Sequence, residues 1–326
     1  MPSGLERIYS FLHNKIYRRR LKSQKRFPGH YIVSIGNLSA GGTGKTPVAV
    51  FLASRAKRLQ PLICLRGYGG SLKEGSLVSD GKTIFLDAGM AGDEAVLLAE
   101  KTGAAVAAGS NRAELIEKFG EGHRVVLLDD AFQNPSVYRD HELVLIDASV
   151  PVEKIKLLPT GKFRDSIDAL RRADTVLLTR IDQSEPDNLK RLRERISSVV
   201  SAEHVFESIH EVTGLDPEIP EGAAVGAFCA IGNPDSFFST VEKIIPLKCR
   251  FPFPDHHMFT AGELTRIKRQ GGPSVWVTTE KDYVRLRSNP RVLAAAGPLH
   301  VLKIQLKILR GREEEFVRRV FRGIEV

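Results

Sequence analysis

One eight-residue segment combines glycines, a lysine and hydroxyl side chains at a spacing that suits phosphate binding. It consists of Ser39, Ala40, Gly41, Gly42, Thr43, Gly44, Lys45 and Thr46. The segment nearly matches G-x-x-x-x-G-K-[ST], with a serine where the first glycine is usual. Glycines let backbone N–H groups approach phosphate oxygens closely, Lys45 can reach the β- and γ-phosphates, and the Thr46 hydroxyl can ligate Mg²⁺. The segment therefore predicts a nucleoside triphosphate site of the P-loop type.

A P-loop needs an acidic residue at the end of a neighbouring strand, and Asp129 and Asp130 meet that requirement. They directly follow the apolar run at residues 124–128, and one of them can hold Mg²⁺ through water. Asp147, after the apolar residues 144–146, is a weaker candidate. The alternative for Asp129 and Asp130 is a structural role in a turn or a helix cap after the strand.

Three further places could contribute chemistry. Asp93 follows a glycine and, by propensity alone, is more typical of a helix cap. His256 and His257 fit either an exposed loop or a metal pair, although no cysteine or third histidine is near them in the sequence. Arg66 and Tyr68 follow an apolar strand, so they lie at the edge of the sheet where ligands bind in such folds.

The elements around these residues alternate between strands and helices. Apolar runs predict strands at residues 31–35, 61–65, 104–108, 124–128, 142–146 and 175–179, and a turn at 79–82 predicts a hairpin. Helices are predicted at 46–58 and 93–101. The alternation is typical of an α/β protein with a mostly parallel sheet covered by helices on both faces.

Prolines and glycines between residues 213 and 221 indicate a boundary, after which the pattern restarts. Strands are predicted at 224–230, 247–251, 275–278 and 299–306, with helices at 235–243, 260–270 and 313–322. We therefore expect an N-terminal helical arm at residues 1–28, a P-loop domain at 29–213 and a smaller α/β domain at 214–326 that closes the cleft.

The N-terminal arm carries most of the net charge. Residues 1–30 contain eight lysines and arginines and one acidic residue, which is +7 of the total +9. Its apolar residues recur at helical spacing: Leu5, Ile8, Tyr9, Leu12 and Ile16. The arm is either a helix that packs on the body with a solvated basic end, or an amphipathic helix that lies on an anionic membrane.

Composition excludes several classes of protein. No window reaches the roughly 18 consecutive apolar residues of a membrane span, and no apolar segment near Met1 suggests a secretory signal. The three cysteines are widely spaced, which is typical of a reducing compartment. The remainder of the chain is nearly neutral, which argues against a nucleic-acid groove and makes nucleic acid an unexpected partner.

Taken together, the sequence resembles the tetraacyldisaccharide 4′-kinase family, the lipid A 4′-kinases. The resemblance covers essentially the whole chain, and the matching segments are residues 34–38, 41–47, 66–70, 92–94, 129–133, 143–148, 157–159, 170–174, 231–234, 253–256 and 278–282. The Gly-Asn pair before the loop, the Asp-Asp-x-Phe-Gln segment and Thr-Thr-Glu-Lys-Asp are specific to it. The sequence departs from the family pattern at Ala131, Asn134 and residues 162–163, which affects details of the acceptor pocket.

The resemblance implies transfer of a phosphoryl group from ATP, with Mg²⁺, to the 4′-hydroxyl of a tetraacylated glucosamine disaccharide 1-phosphate, giving lipid IVA. It implies catalytic roles for Lys45 and for Asp93 paired with His256. It also implies an acceptor site that includes Asn37, Arg66, Tyr68, Gln133 and Arg164. A lipid acceptor favours the membrane-binding interpretation of the arm, and it implies a peripheral protein on the cytoplasmic face of the bacterial inner membrane.

One alternative belongs to a different class. A nucleotide-driven switch or chaperone ATPase would use the same P-loop to act on a protein partner. The sequence contains no feature that requires such a partner, and the segments at 255–256 and 279–282 favour the kinase.

Overall fold

A twelve-stranded sheet forms the centre of the protein. The structure is a computed structural model that describes residues 3–72 and 74–326; the first two residues of the predicted arm lie outside them. The strands are β1 (Tyr31–Asn37), β2 (Leu62–Leu65), β3 (Ser76–Asp80), β4 (Ala105–Ala108), β5 (Val125–Asp129), β6 (His141–Asp147), β7 (Thr175–Thr179), β8 (Val205–Asp216), β9 (Val225–Cys229), β10 (Cys249–Pro252), β11 (Val275–Thr279) and β12 (Leu299–Ile308). Their order across the sheet is β10-β9-β11-β12-β8-β7-β6-β1-β5-β2-β4-β3.

Helices cover both faces of the sheet. They are α1 (Gly4–Lys22), α2 (Lys45–Arg55), α3 (Ala88–Ala91), α4 (Asp93–Thr102), α5 (Arg112–Phe119), α6 (Pro186–Ser197), α7 (Pro234–Glu242), α8 (Ala261–Gly271), α9 (Glu280–Arg287), α10 (Pro290–Ala296) and α11 (Glu313–Val320). No helix in the described residues is long and apolar enough to cross a bilayer.

The predicted α/β class is confirmed, because all strand pairs except β3–β4 and β8–β12 are parallel. β1 lies between β5 and β6 and is buried almost throughout, as expected for an apolar strand covered on both faces. The carboxyl ends of β1 and β5 therefore lie side by side, which brings the loop after β1 next to Asp129 and Asp130. The predicted hairpin is reduced to a turn and a single bridge between Ser79 and Ile84.

The twelve-residue strand β8 joins the two halves of the sheet. Its first residues pair in parallel with β7, and its remainder pairs antiparallel with β12. This strand is not among those predicted from the sequence. The expected domain boundary after residue 213 lies inside it, and the division into domains stays a prediction.

The C-terminal helix returns to the first half of the molecule. Phe316 and Phe321 of this end of the chain share one buried cluster with Val33 of β1 and Leu52 of α2. The Tyr31 hydroxyl also donates a hydrogen bond to the Val320 carbonyl at 3.0 Å. The core that supports β1 therefore includes the C-terminal end of the described chain.

The predicted N-terminal helix is present as α1, which begins with a capping box between Ser3 and Glu6 and ends at Lys22. Its apolar side chains face outwards, with 53% of the Leu12 surface and 68% of the Phe11 surface exposed. Tyr9 was predicted to belong to this apolar stripe, but it is half-buried and stacks on His13.

The opposite, polar face of α1 contacts the body. Glu6 accepts a hydrogen bond from Thr160, His13 lies 3.5 Å from Asp165, and Arg172 lies over the Tyr17 ring. Polar contacts therefore dock the helix, and its apolar stripe stays uncovered.

Candidate functional site

The loop between β1 and α2 has the conformation that its glycines permit. Gly41 and Gly44 have φ values of +116° and +88°, in the left-handed region that favours glycine. A Cβ atom on Gly44 would lie 2.8 Å from Nε2 of His210, so this position also lacks space for a side chain. The loop ends where α2 begins at Lys45, and the start of a helix attracts phosphate oxygens.

A network of charges fixes Lys45 at the end of this loop. Its ammonium group lies 3.4 Å from the Asp130 carboxylate and donates to the Asn37 side chain at 3.4 Å. Arg164 donates to both Asp130 carboxylate oxygens, at 3.0 and 2.7 Å, and to Asn37 at 2.6 Å. Burial alone would raise the pKa of Asp130, but Lys45 and Arg164 hold it well below its usual range.

The neighbouring carboxylate of Asp129 has a different environment and a different pKa shift. It is buried, and no described residue donates a hydrogen bond to its carboxylate, although Arg112 donates to its backbone oxygen at 3.0 Å. Burial raises the pKa of Asp129 to about 7; Lys45 opposes the shift, and Glu94 and Asp130 add to it. The buried Asp129 carboxylate accepts no hydrogen bond from a described residue and lines the same cavity as Thr46, so it suits a hard cation such as Mg²⁺.

A second set of residues packs against the loop from the other side. Thr179 donates to the Thr43 carbonyl at 2.9 Å, and Arg180 donates to the Gly42 carbonyl at 3.0 Å. Arg180 is held in turn by Asp147 at 2.5 Å. Contacts from the ends of β6 and β7 therefore fix the loop conformation; the two strands were predicted from the sequence, but these contacts were not.

The segment after β9 reaches the loop from the second half of the sheet. A Cβ atom on Gly232 would lie only 2.6 Å from the Gly42 nitrogen, so the two backbones touch. Asn233 donates to Asp147 at 3.1 Å. The loop is thus enclosed by both halves of the molecule.

Asp93 and His256 lie together, as the resemblance implies. His256 Nδ1 is 3.7 Å from the Asp93 carboxylate, although the two residues belong to different halves. Arg285 donates to the same carboxylate oxygen, and the Glu94 backbone N–H donates to the other at 2.8 Å. Burial would raise the pKa of Asp93, but His256, Lys281 and Arg285 outweigh it and lower the pKa to about 2.

Lys281 connects this pair to the rest of the cavity. Its ammonium group lies 2.9 Å from Glu94, 3.4 Å from His256 Nε2 and 4.0 Å from Asp255. Burial would lower the pKa of Lys281, but Glu94, Asp93 and Asp255 reverse this and raise it. Lys281 therefore stays charged at the point where α4, α9 and the 255–256 segment meet.

His257 points to another partner. Its Nε2 lies 3.1 Å from Glu263, the residue that completes the capping box of α8. His256 has the left-handed φ of +61° that separates the two rings. Of the two adjacent histidines, His256 is the one beside Asp93.

One cavity of about 740 Å³ connects these groups. Residues 40–46, Asp129, Asp130 and His256 line it, and Asp93 lies directly behind His256. The arrangement places a glycine-rich loop, a buried carboxylate and a carboxylate–histidine pair around one space. Such a site can transfer a phosphoryl group to a hydroxyl.

The residues expected at the acceptor site divide into two groups. Arg66 and Tyr68 line the cavity, as does Arg164. Gln133 lies behind the loop, where it donates to the Asn37 carbonyl at 2.8 Å and to Asp165 at 3.1 Å. Asn37 is fully buried and contacts Lys45 rather than open space.

The chain is similar to known proteins over nearly its whole length. Residues 3–323 match the family model described as tetraacyldisaccharide-1-P 4′-kinase. The chain belongs to this family. The tetraacyldisaccharide 4′-kinase of Anaeromyxobacter dehalogenans strain 2CP-C is 39% identical, with 94% of this chain and 85% of the relative covered. That of Chlorobaculum parvum is 36% identical, covering 96% and 91%.

A solved structure supports the same assignment. LpxK from Aquifex aeolicus, crystallised in complex with ATP, superposes with a TM-score of 0.72 and is 26% identical, covering 98% of this chain and 95% of that one. Membership of the tetraacyldisaccharide 4′-kinase family confirms the resemblance seen in the sequence and argues against a switch or chaperone.

Several polar residues of this family member escaped prediction as site residues. They are Glu94, Arg180, Asn233, Lys281 and Arg285, whereas Asp147, the weaker candidate for the metal-binding acid, pairs with Arg180 instead. Glu94 and Lys281 stand inside segments that carried the resemblance, so that signal could have identified them. Arg180 could not have been found this way, because its role depends on the packing of β7 against the loop.

Proposed function

We propose that this chain transfers the γ-phosphoryl group of ATP to the 4′-hydroxyl of a tetraacylated glucosamine disaccharide 1-phosphate, the reaction for which its family is named. One observation carries the proposal: the phosphate loop and the Asp93–His256 pair border the same cavity. The loop binds ATP in this proposal, and the Asp93–His256 pair contacts the acceptor hydroxyl.

At the nucleotide end, the backbone of residues 40–46 cradles the phosphates. Lys45 neutralises charge on the transferring phosphoryl group. Its ammonium group is oriented by contacts with Asn37 and Asp130. Thr46 and Asp129 would hold Mg²⁺, which would offset the negative charge of the phosphate groups. Asp129 is the direct ligand in this proposal, since Asp130 is already engaged by Arg164 and Lys45.

At the acceptor end, the Asp93–His256 pair takes the proton that leaves the attacking hydroxyl. Asp93 stays ionised because Arg285 and Lys281 surround it, and it holds His256 towards the cavity. Phosphoryl transfer demands mainly positioning and charge neutralisation, so a modest general base suffices. Because the pair spans both halves of the sheet, the base exists only when the halves are packed together.

The acceptor reaches this site from a membrane surface in our proposal. The exposed apolar stripe of α1 would lie among acyl chains, and Arg18, Arg19 and Arg20 would face anionic headgroups. The polar face of α1 contacts the segment that carries Arg164, so a membrane-bound helix would hold the cavity close to the lipid. We propose the cytoplasmic face of the inner membrane, where ATP is available.

The direct test is transfer of ³²P from γ-labelled ATP, with the lipid disaccharide in mixed micelles and with micelles alone. The proposal predicts labelled lipid whose formation requires the disaccharide. Hydrolysis of ATP at the same rate with and without the acceptor, and no labelled lipid, would contradict it.

A further inference from the structure

The segment that follows β7 resembles a base-recognition motif. Residues 179–182 are Thr-Arg-Ile-Asp, close to the [NT]-K-x-D pattern with which GTPases recognise guanine, with arginine in place of lysine. The aspartate of such a pattern suits guanine, because a carboxylate accepts hydrogen bonds from the N1–H and 2-amino groups of that base. Adenine has no 2-amino group, and its N1 atom is itself an acceptor. Asp182 is therefore a residue that favours the wrong base in a kinase that uses ATP.

The order of the strands places this segment at the nucleoside end of the phosphate loop. β5, which carries Asp129, lies on one side of β1, and β6, β7 and β8 lie on the other. In the proposed function the transferred phosphate lies beside Asp129, so the nucleoside extends in the opposite direction, across the ends of β7 and β8. Thr179 and Arg180 already contact carbonyl groups of the loop there. The segment is therefore positioned to face the base.

The wall of the cavity at this end contains no carboxylate from the motif or from α7. Its lining residues here are Arg180 and three residues of α7: Ser236, Phe237 and Thr240. Asp182 is only two positions after Arg180 in the sequence, yet it lies outside the cavity lining. A base at this end therefore meets neutral side chains and one arginine.

Two contacts with α7 hold Asp182 away from the cavity. The ammonium group of Lys243, the residue that directly follows α7, lies 2.5 Å from the Asp182 carboxylate. Gln183, the next residue after Asp182, donates a hydrogen bond to the Thr240 hydroxyl at 3.0 Å. The short 3₁₀ turn Ile181–Gln183 is thus attached to α7 at two places about one helical turn apart. As a result, a cation engages the carboxylate of Asp182.

We infer that the Lys243–Asp182 pair determines nucleotide specificity: it withdraws a carboxylate that would favour guanine, and so it keeps the site selective for ATP over GTP. This role rests on the nucleotide end of the proposed function and is independent of the acceptor. A carboxylate paired with an ammonium group offers less charge and fewer free lone pairs to the donors of guanine. Because half of the Lys243 side chain is exposed, solvent weakens the pair, and its effect on selectivity is modest.

The test measures binding of two non-hydrolysable nucleotides, AMP-PNP and GMP-PNP, to the full chain by calorimetry in the presence of Mg²⁺. Wild type should bind AMP-PNP more tightly than GMP-PNP. Lys243→Met should raise the affinity for GMP-PNP roughly three- to tenfold, because the released carboxylate can accept hydrogen bonds from guanine. The affinity for AMP-PNP should change less than about twofold, because adenine offers no matching pair of donors.

Two further variants separate the carboxylate from a general effect of charge. Adding Asp182→Ala to Lys243→Met should return the affinity for GMP-PNP to about its wild-type value, because the acceptor is then absent. Lys190→Met removes an exposed lysine of α6 outside the cavity lining and should bind both nucleotides as wild type does. Thermal unfolding of Lys243→Met should match wild type, since an exposed ion pair adds little to stability.

Three outcomes would overturn this role of the pair. They are equal affinity of wild type for the two nucleotides, an unchanged ratio of affinities in Lys243→Met, and a gain for GMP-PNP that persists after Asp182→Ala. Failure of the proposed function is distinguishable, because wild type would then bind neither nucleotide, or would bind AMP-PNP normally and label no lipid in the transfer assay.

Discussion

The two ends of the cavity are built in different ways. At the phosphate end, a contiguous loop after β1 takes its shape from its own glycines, and neighbouring strand ends supply Asp129 and Asp130. At the acceptor end, Asp93 begins α4, whereas His256 follows β10. The first end is largely encoded in one segment. The second exists only through tertiary packing, so it can be lost without damage to the first.

The largest expected effect is at the phosphate end. Lys45→Ala removes the cation nearest the transferring phosphate, and Thr46→Ala removes a proposed metal ligand. Each should lower transfer at least ~10³-fold, measured with γ-labelled ATP. Lys118→Ala, which removes an exposed lysine paired with Glu114 on α5, is the control and should stay near wild type. Near-normal turnover in both loop variants would remove the assignment of this end.

Substitutions at the acceptor end should lower kcat without weakening ATP binding. Asp93→Asn and His256→Ala should each reduce kcat by roughly 10²–10⁴-fold while ATP binding, measured by calorimetry, persists. Because the two residues form one unit, the double variant should be little worse than the worse single variant. Multiplicative losses would show that they act independently. His257→Ala is the matched control, since that ring contacts Glu263.

The acceptor end should also contribute more to stability. Arg285→Met leaves the buried carboxylates of Asp93 and Asp282 without their shared partner. We expect the free energy of unfolding in urea to fall by about 3–5 kcal/mol. Arg191→Met breaks an exposed pair with Glu153 and should leave stability nearly unchanged. Similar values for the two variants would mean that the Arg285 cluster is not a stabilising contact.

A pH series isolates the charge of Asp93. Its pKa falls from 3.8 to about 2 on folding, so its contribution is fully present above about pH 4 and is lost as the pH falls through 2. The stability difference between wild type and Asp93→Asn should therefore narrow by about 2 kcal/mol between pH 6 and pH 2. Urea unfolding at each pH measures it, with the exposed Asp187→Asn as control. A constant difference would contradict the depressed pKa.

The smallest effects concern membrane association through α1. They should affect access to the lipid acceptor but not ATP binding. Leu12→Glu should reduce flotation with anionic vesicles at any salt concentration, while Arg18, Arg19 and Arg20 changed to Ser should do so mainly at low salt, at about 1 kcal/mol per residue. The KM for ATP should not change. Leu12 is 53% exposed, so the variant should fold normally. Absence of wild-type flotation at low salt would remove the membrane proposal.

The phosphate end could be predicted because its chemistry depends on neighbours in the chain. A strand, a glycine loop, Lys45 and a helix follow one another, and local rules describe each of them. The pairing of Asp93 with His256 came from the family resemblance, since no spacing rule joins residues so far apart. Arg285 was missed as a site residue because an isolated sequence does not show which charges become buried together.

The missed strand β8 has a related physical cause. Its alternation of buried and exposed residues fades after Ser208, where it carries His210 and Glu211. These residues pair with β12 far along the chain, and that pairing compensates for a weak local pattern. For α1 both the helix and its apolar stripe were predicted from the sequence, but the polar contacts of Glu6 and His13 that dock it on the body were not.

The return of the C-terminal helix to β1 has a consequence for synthesis of the protein. Phe316 and Phe321 complete the cluster beneath the phosphate loop, so the first half lacks part of its interior until residues 316–321 leave the ribosome. Because synthesis adds ~5–20 residues per second, the core around the early strands remains incomplete for many seconds. We expect a prematurely terminated chain to remain unfolded and open to proteases. An incomplete copy would then be removed before it could bind ATP.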